Sequence, residues 1–231
     1  MCGRFTLTTP PSVLARELEV EVPPDLAPRY NAAPGQDVLT LWHPAGAARA
    51  LRPRRWGLVP HWADDARIGA RLVNARAETA AAKPAFRDAV RLRRCLVPAD
   101  GFYEWSGAVR GPRQPHHVAL ASGGVFAIAA LFERWRGGEG AWLESCVLLT
   151  VPPNDAIRSL HDRMPAILPR AHWEAWLDPE QRDAEPALAL LAPWSGEPLV
   201  PRPVARRVNS VEHDDPGCLA PPDLGPLFAP R

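Results

Sequence analysis

Proline is the feature that most restricts the fold of this chain. Its 231 residues include 28 prolines and 16 glycines. Proline alone makes up about 12% of the chain, against an ordinary value of about 5%. Each proline fixes φ and removes a backbone donor, so long helices and central strands cannot run undisturbed through this pattern. A helical bundle is excluded, and short elements with many turns and sheet edges are favoured. Apolar residues at 46% and charged residues at 23% are ordinary for a globular protein. The length suffices for a real core in one large domain.

Local patterns place the elements. Residues 12–20 predict a helix, with Val13, Leu14 and Leu18 on one side and prolines just before it. Residues 78–94 predict helix in pieces, interrupted at Pro84. Further helices are expected at 153–160, with Asn154 near the cap, at 170–177 and at 185–191. Apolar runs at 38–42, 95–98, 101–105, 117–120, 125–132 and 146–151 predict strands, and the arginine-bearing stretch 49–59 reads as a further extended region. Residues 23–34 read as loop and 199–208 as extended chain. The strands cluster mid-chain and do not alternate with helices, which favours an α+β fold with antiparallel pairing. Residues 1–213 are expected to form one domain, and the proline-rich residues 214–231 a surface tail.

Net charge is +1, so no global field draws the protein to a polyanion, and nucleic-acid binding would need placed arginines. Lys83 is the single lysine among 27 basic residues. Imine chemistry is thereby confined to Lys83 or the α-amine of the chain. The four cysteines, Cys2, Cys95, Cys146 and Cys218, form no CxxC pair, so neither a zinc site nor a redox dithiol is expected. No metal or other cofactor is expected. Cys95, Cys146 and Cys218 read as small structural hydrophobes. No secretory leader follows Met1 and no apolar run reaches about 18 residues, so a cytoplasmic protein without membrane attachment is expected.

Cys2 carries the most chemistry. Removal of Met1 would leave a 1,2-aminothiol, with an amine of ordinary pKa about 7.7–8.0 beside a thiol of about 8.5. Against an aldehyde the amine forms an imine, and the thiol closes it to a five-membered thiazolidine. The other use of such a residue is as an N-terminal nucleophile, with the amine as base for its own thiol. Glu104 lies between aromatics in ADGFYEW at 99–105, where desolvation would raise its pKa towards acid–base work. Asn74 and His161 stand in polar interruptions of apolar segments. Read singly, Cys2, Glu104 and His161 each fit a purely structural role better than a chemical one.

Taken together, the motifs resemble the SRAP family of SOS response-associated peptidase-like, abasic site processing proteins. They are MCGRF at 1–5, PRYNAAPG at 28–35, WGLVPHW at 56–62, NARAET at 74–79, ADGFYEW at 99–105, HDRMP at 161–165, and PVA at 203–205 followed by Val208-Asn209. They run in family order over nearly the whole chain.

The resemblance implies one compact α+β domain with a strongly curved antiparallel sheet core, peripheral helices and a positive groove. It implies a monomer that recognises abasic sites in single-stranded DNA and links to them through Cys2 as a thiazolidine, becoming nucleoid-associated when crosslinked. An autocatalytic removal of Met1 and lyase-like chemistry come with it. Cys2 would be the nucleophile, Asn74 would position the deoxyribose and the N-terminus, Glu104 would shuttle protons, and His161 would open the sugar and reverse the link. Arg4, Arg76 and Arg163 would contact flanking phosphates. Pro34, Trp62 and Trp105 would form an apolar wedge and stacking surface, and His61 receives no role. Two other readings are a cysteine peptidase or amidohydrolase using Cys2, and a single-strand-binding module that does not need Cys2.

Overall fold

The computed structural model describes residues 2–107, 113–138 and 140–222. Its core is a ring of five strands. Asp37–Trp42, Ala50–Trp56, Trp142–Val151, Phe126–Arg136 and Arg94–Ala99 each pair with the next, and the last pairs with the first. All these pairings are antiparallel except that between Ala50–Trp56 and Trp142–Val151. Closure removes the edges that would otherwise invite association. The Phe126–Arg136 strand shows why this sequence suits a ring. Residues 126–133 are buried on both faces, and Ala127, Ala129 and Ala130 keep the strand thin enough for side chains on either side to approach. The short strands Asn74–Arg76, Met164–Pro165 and Ile167–Leu168 extend the ring at its margins.

A second, five-stranded antiparallel sheet has the order Leu199–Pro203, Gln114–Leu120, Gly101–Ser106, Phe5–Leu7, Arg29–Ala32. Only Asp100 separates the ring strand Arg94–Ala99 from Gly101–Ser106 of this sheet, so the chain crosses between sheets there. The Asp100 carboxylate is buried. It accepts from the Thr6 hydroxyl at 2.6 Å and from the backbone and hydroxyl groups of Thr8 and Thr9. These bonds fix the N-terminal strand to the crossing point. Gly101 is required by close approach, since a Cβ there would lie 2.0 Å from His117 Nε2. Burial pushes His117 down to about 4, with Arg202 adding to the effect and Asp100 opposing it. The ring is therefore neutral at ordinary pH, with Nε2 3.0 Å from the Thr6 hydroxyl.

The α+β class with antiparallel sheets holds. Helices are short, from Pro11–Leu18 and Arg87–Leu92 to Trp173–Leu177 and Ala184–Ala189. Three local expectations change. Within 23–34, Arg29–Ala32 is a strand at the end of the second sheet. Its outer face is satisfied by Asp214, which accepts from Tyr30 N and Asn31 N at 2.5 and 2.8 Å, a partner invisible to local reading. The extended chain expected over 199–208 stops at Pro203 and gives way to a 3-10 turn at Arg206–Asn209. The first part of the expected surface tail is packed. Cys218 is fully buried with Tyr103, Val204 and Val208, while Asp214 holds Arg29 at 2.5 Å. Residues 223–231 of that stretch lie outside the described residues. No helix among the described residues is long and apolar enough to cross a membrane.

Candidate functional site

The two sheets meet at the start of the chain. Phe5 pairs with Phe102, and Tyr103 N donates to Arg4 O at 3.0 Å, which carries the preceding residues alongside Glu104. On the other side, Asn74–Arg76 runs parallel to Leu148–Thr150 of the ring. Asn74 Nδ2 donates to the Cys2 carbonyl at 2.7 Å. Asn74 Oδ1 is buried without a hydrogen-bond partner among the described residues, an acceptor held ready for a donor such as a hydroxyl or amine.

Cys2 is fully buried, and its thiol leans towards Arg4 O at 3.7 Å. Burial holds its pKa far above the ordinary value, and the charge of Glu104 raises it further. In the chain that still carries Met1, the sulfur is therefore a thiol, and the Cys2 nitrogen is an amide. Glu104 is 2% exposed. Burial first, then the charge of Asp162, pushes its carboxyl up to about 7. A carboxyl poised there can give or take a proton near neutrality. The environment the sequence suggested, a carboxyl among aromatics, is present: Tyr103 is fully buried beside it and Trp105 half-buried.

His161 follows the Asp155–Arg158 helix and bonds back to it, its N donating to Ile157 O at 2.9 Å. Nδ1 accepts from Arg163 N at 3.0 Å and lies 2.7 Å from Asp162 Oδ1. The first contact requires a bare Nδ1 and the second a protonated one. Burial lowers the His161 pKa, while Asp162 opposes the shift, so the neutral ring is the resting form at neutral pH. Arg113, which the sequence reading did not single out, acts electrostatically on both Glu104 and His161. One arginine among so many in a loop offered no local signal.

The three arginines expected at phosphates differ. Arg76 is exposed. Arg4 is half-buried and donates inward, to Asn31 Oδ1 at 3.0 Å and Val208 O at 2.6 Å. Arg163 is only 11% exposed, forked onto Glu78 with two 2.8 Å contacts and donating to Thr150 O at 2.6 Å. Its guanidinium can meet a phosphate only by exchanging Glu78 for it. Pro34 is exposed, in a turn whose Gly35 N donates to Trp56 O at 2.7 Å. Trp105 is half-buried and donates through Nε1 to Asn209 at 2.8 Å.

Trp62 is 51% exposed, and its presentation is built from beneath. Glu133, buried, accepts from His61 Nδ1 at 2.8 Å and pairs with Arg93. Two residues along the same strand, Trp135 Nε1 donates to Ala63 O at 2.6 Å. Both neighbours of Trp62 are thus pinned to one face of Phe126–Arg136. His61, given no role from the sequence, is one of these two anchors. Among the described residues no group of three or more His, Cys, Asp or Glu side chains could hold a metal.

The fold and this site define a family. The chain matches SOS response associated peptidase (SRAP) over residues 1–211, and it belongs to that family. Among its relatives, the abasic site processing protein YoqW of Bacillus subtilis (strain 168) is 37% identical over 219 residues, covering 94% of this chain and 97% of YoqW. The abasic site processing protein HMCES of Mus musculus is 29% identical and covers 97% of this chain and 77% of its own length. A crystallised protein of Bacteroides thetaiotaomicron superposes with a TM-score of 0.81 at 24% identity over 95% of this chain and 99% of its own. One from Bordetella bronchiseptica gives 0.74 at 26% identity over 88% and 100%.

Proposed function

We propose that this protein captures abasic sites in single-stranded DNA as a thiazolidine with Cys2, after Met1 has been removed. The observation that carries the reading is the Asn74–Cys2 hydrogen bond at 2.7 Å, which holds the second residue of the chain beside a carboxyl raised to about 7. The relatives' printed name, abasic site processing protein, supports the substrate.

The freed α-amine of Cys2 attacks C1′ of the ring-opened sugar. A C–N bond forms, and the carbonyl oxygen becomes a hydroxyl. Glu104 in its acid form protonates that hydroxyl, which leaves as water and gives the iminium, whose nitrogen keeps one proton. The Glu104 carboxylate then takes the thiol proton as sulfur bonds to the iminium carbon, and the nitrogen keeps its remaining proton as the ring amine. One water is lost overall. Asn74 fixes the backbone at Cys2 and offers Oδ1 to the sugar or amine. His161, neutral at ordinary pH, assists ring opening of the sugar and the reverse reaction. Arg76 and, once released from Glu78, Arg163 meet the flanking phosphates, and Pro34, Trp62 and Trp105 occupy the space beside the lost base. The protein acts as a cytoplasmic monomer, and removal of Met1 is its own peptidase step.

The test is a denaturing gel with an abasic single-stranded oligonucleotide, followed by intact mass. The expected adduct weighs the protein without Met1 plus the oligonucleotide minus one water, and it survives heat. Cys2→Ala and Cys2→Ser keep the amine but not the ring-closing thiol. They should give only a heat-labile adduct that borohydride traps, with strand nicking, and Lys83→Arg should change nothing. A heat-stable adduct from Cys2→Ala would defeat the mechanism. A shift seen only on native gels would instead favour non-covalent binding.

A further inference from the structure

We infer that the paired ends of Phe126–Arg136 and Trp142–Val151 form a second nucleic-acid contact, which holds the DNA strand some distance from the lesion. The inference rests on the abasic-DNA reading above and adds a part of the footprint to it. Trp142 is 60% exposed. It pairs directly with Arg136, and Arg134 pairs with Glu144 two residues along. Cross-strand partners and residues two apart share a face, so Trp142, Arg134, Arg136 and Glu144 stand together. The guanidinium carbons of Arg134 and Arg136 lie 5.3 and 5.7 Å from the Trp142 ring centroid.

Arg52 joins this face from Ala50–Trp56, 5.9 Å from the Trp42 ring. Glu144 is shared by Arg52, Arg54 and Arg134 at 3.2, 3.2 and 3.5 Å. One carboxylate thus faces three guanidiniums, with Arg136 beyond them. In a chain whose net charge is only +1, this is a local positive excess. Arg54 is buried and serves the ring, but Arg52, Arg134, Arg136 and Trp142 are exposed and bury little for the core. An open indole face with arginines over it offers base stacking and phosphate forks in one place. A stretch of nucleic acid presents both partners.

The strand fixes the spacing. Trp142 precedes Leu148, the partner of Asn74, by roughly six residues, or about 20 Å along the strand. At about 3.4 Å per stacked nucleotide, DNA must run about six nucleotides past the lesion on one side to reach the patch.

The experiment measures anisotropy with oligonucleotides carrying a stable abasic analogue that lacks the aldehyde. One has about three nucleotides on each side, and two others are extended to about fifteen on the 5′ or the 3′ side. Trp142→Ala and Arg136→Ala should weaken binding of one extended oligonucleotide about tenfold and leave the short one unchanged. Arg136→Ala should also lower the salt slope on that oligonucleotide by about 0.7. Unchanged affinity for both extended oligonucleotides would overturn the inference. So would an equal loss on short and long ones, or a loss confined to binding of poly-glutamate, which would mark an acidic protein as the occupant. Crosslinking of a short aldehyde-bearing oligonucleotide, run in parallel, reports on the Cys2 reading separately, because neither variant touches that site.

Discussion

Asn74 Nδ2 holds the Cys2 carbonyl at 2.7 Å, joining a strand of the ring to the residues that lead into the second sheet. The bond spans 72 positions of sequence, and it sets where Cys2 stands relative to Glu104.

Loss of that bond should act on chemistry more than on folding. Asn74→Ala should cost about 1 kcal/mol of stability, the usual net value of one hydrogen bond, and Asn74→Asp more, because it sets a carboxylate against the Cys2 carbonyl. Adduct formation at saturating DNA should slow by at least about tenfold, since misplacement of a reacting group is costly. Asn74→Asp should be the slower, because a carboxylate cannot donate to the carbonyl and adds charge beside Glu104. Urea melts and single-turnover gels check both numbers.

Glu104 near 7 should appear as an inflection in the pH dependence of adduct formation, separate from that of the α-amine at about 7.7–8.0. Glu104→Gln should slow formation by about 10²–10⁴-fold and remove the lower inflection while leaving the upper one. Persistence of both inflections in the variant would assign the lower one to another group.

Two buried groups should oppose each other in stability. Glu104 is raised from 4.5 to about 7, so its contribution is complete below about 4.5 and is lost as pH rises through 7. His117 is lowered from 6.5 to about 4, so its contribution is complete above about 6.5 and is lost as pH falls through 4. Between about 4.5 and 6.5 the folded chain has one extra proton on Glu104 and one fewer on His117, and the two slopes cancel. Relative to wild type, Glu104→Gln should gain stability with rising pH, up to about 1.4 kcal/mol per unit. His117→Gln should lose it with the opposite slope. Urea melts across that window decide the sign.

Glu133 should act on DNA only through Trp62. Trp62→Ala should reduce affinity for abasic single strands by about 1–3 kcal/mol, as for loss of a stacked aromatic. Glu133→Gln should weaken the His61 anchor and reduce affinity by less. In the double variant the Glu133 effect should vanish, since the ring it presents is gone. Additive losses in this double-mutant cycle would show that Glu133 acts on DNA by a route other than Trp62.

Much of the fold was legible in local pattern. The apolar runs at 125–132 and 146–151 overlap the ring strands Phe126–Arg136 and Trp142–Val151, because burial on both faces demands unbroken apolar sequence. Their polar ends, Glu133 to Arg136 and Trp142 to Glu144, escaped detection because pairing, not hydrophobicity, extends them. Arg29–Ala32 was hidden among prolines, since the groups that complete it are Phe5–Leu7 and Asp214. The family was legible in the motifs taken as a set, but the inward commitments of Arg4 and Arg163 were not. An arginine bound to a carbonyl 204 positions away reads the same as one facing solvent.

By itself the sequence determined what is covalent and what is local. Cys2 follows Met1, Lys83 is the only side-chain amine, and the prolines forbid long helices. Tertiary structure decided what depends on distant neighbours: the closed ring, the burial that lifts Glu104 and depresses His117, and the grip of Asn74 on Cys2. The physical reason is that proton affinity and hydrogen-bond partnership are set by desolvation and by the few groups within about 3–6 Å. Here those groups come from strands tens of residues apart.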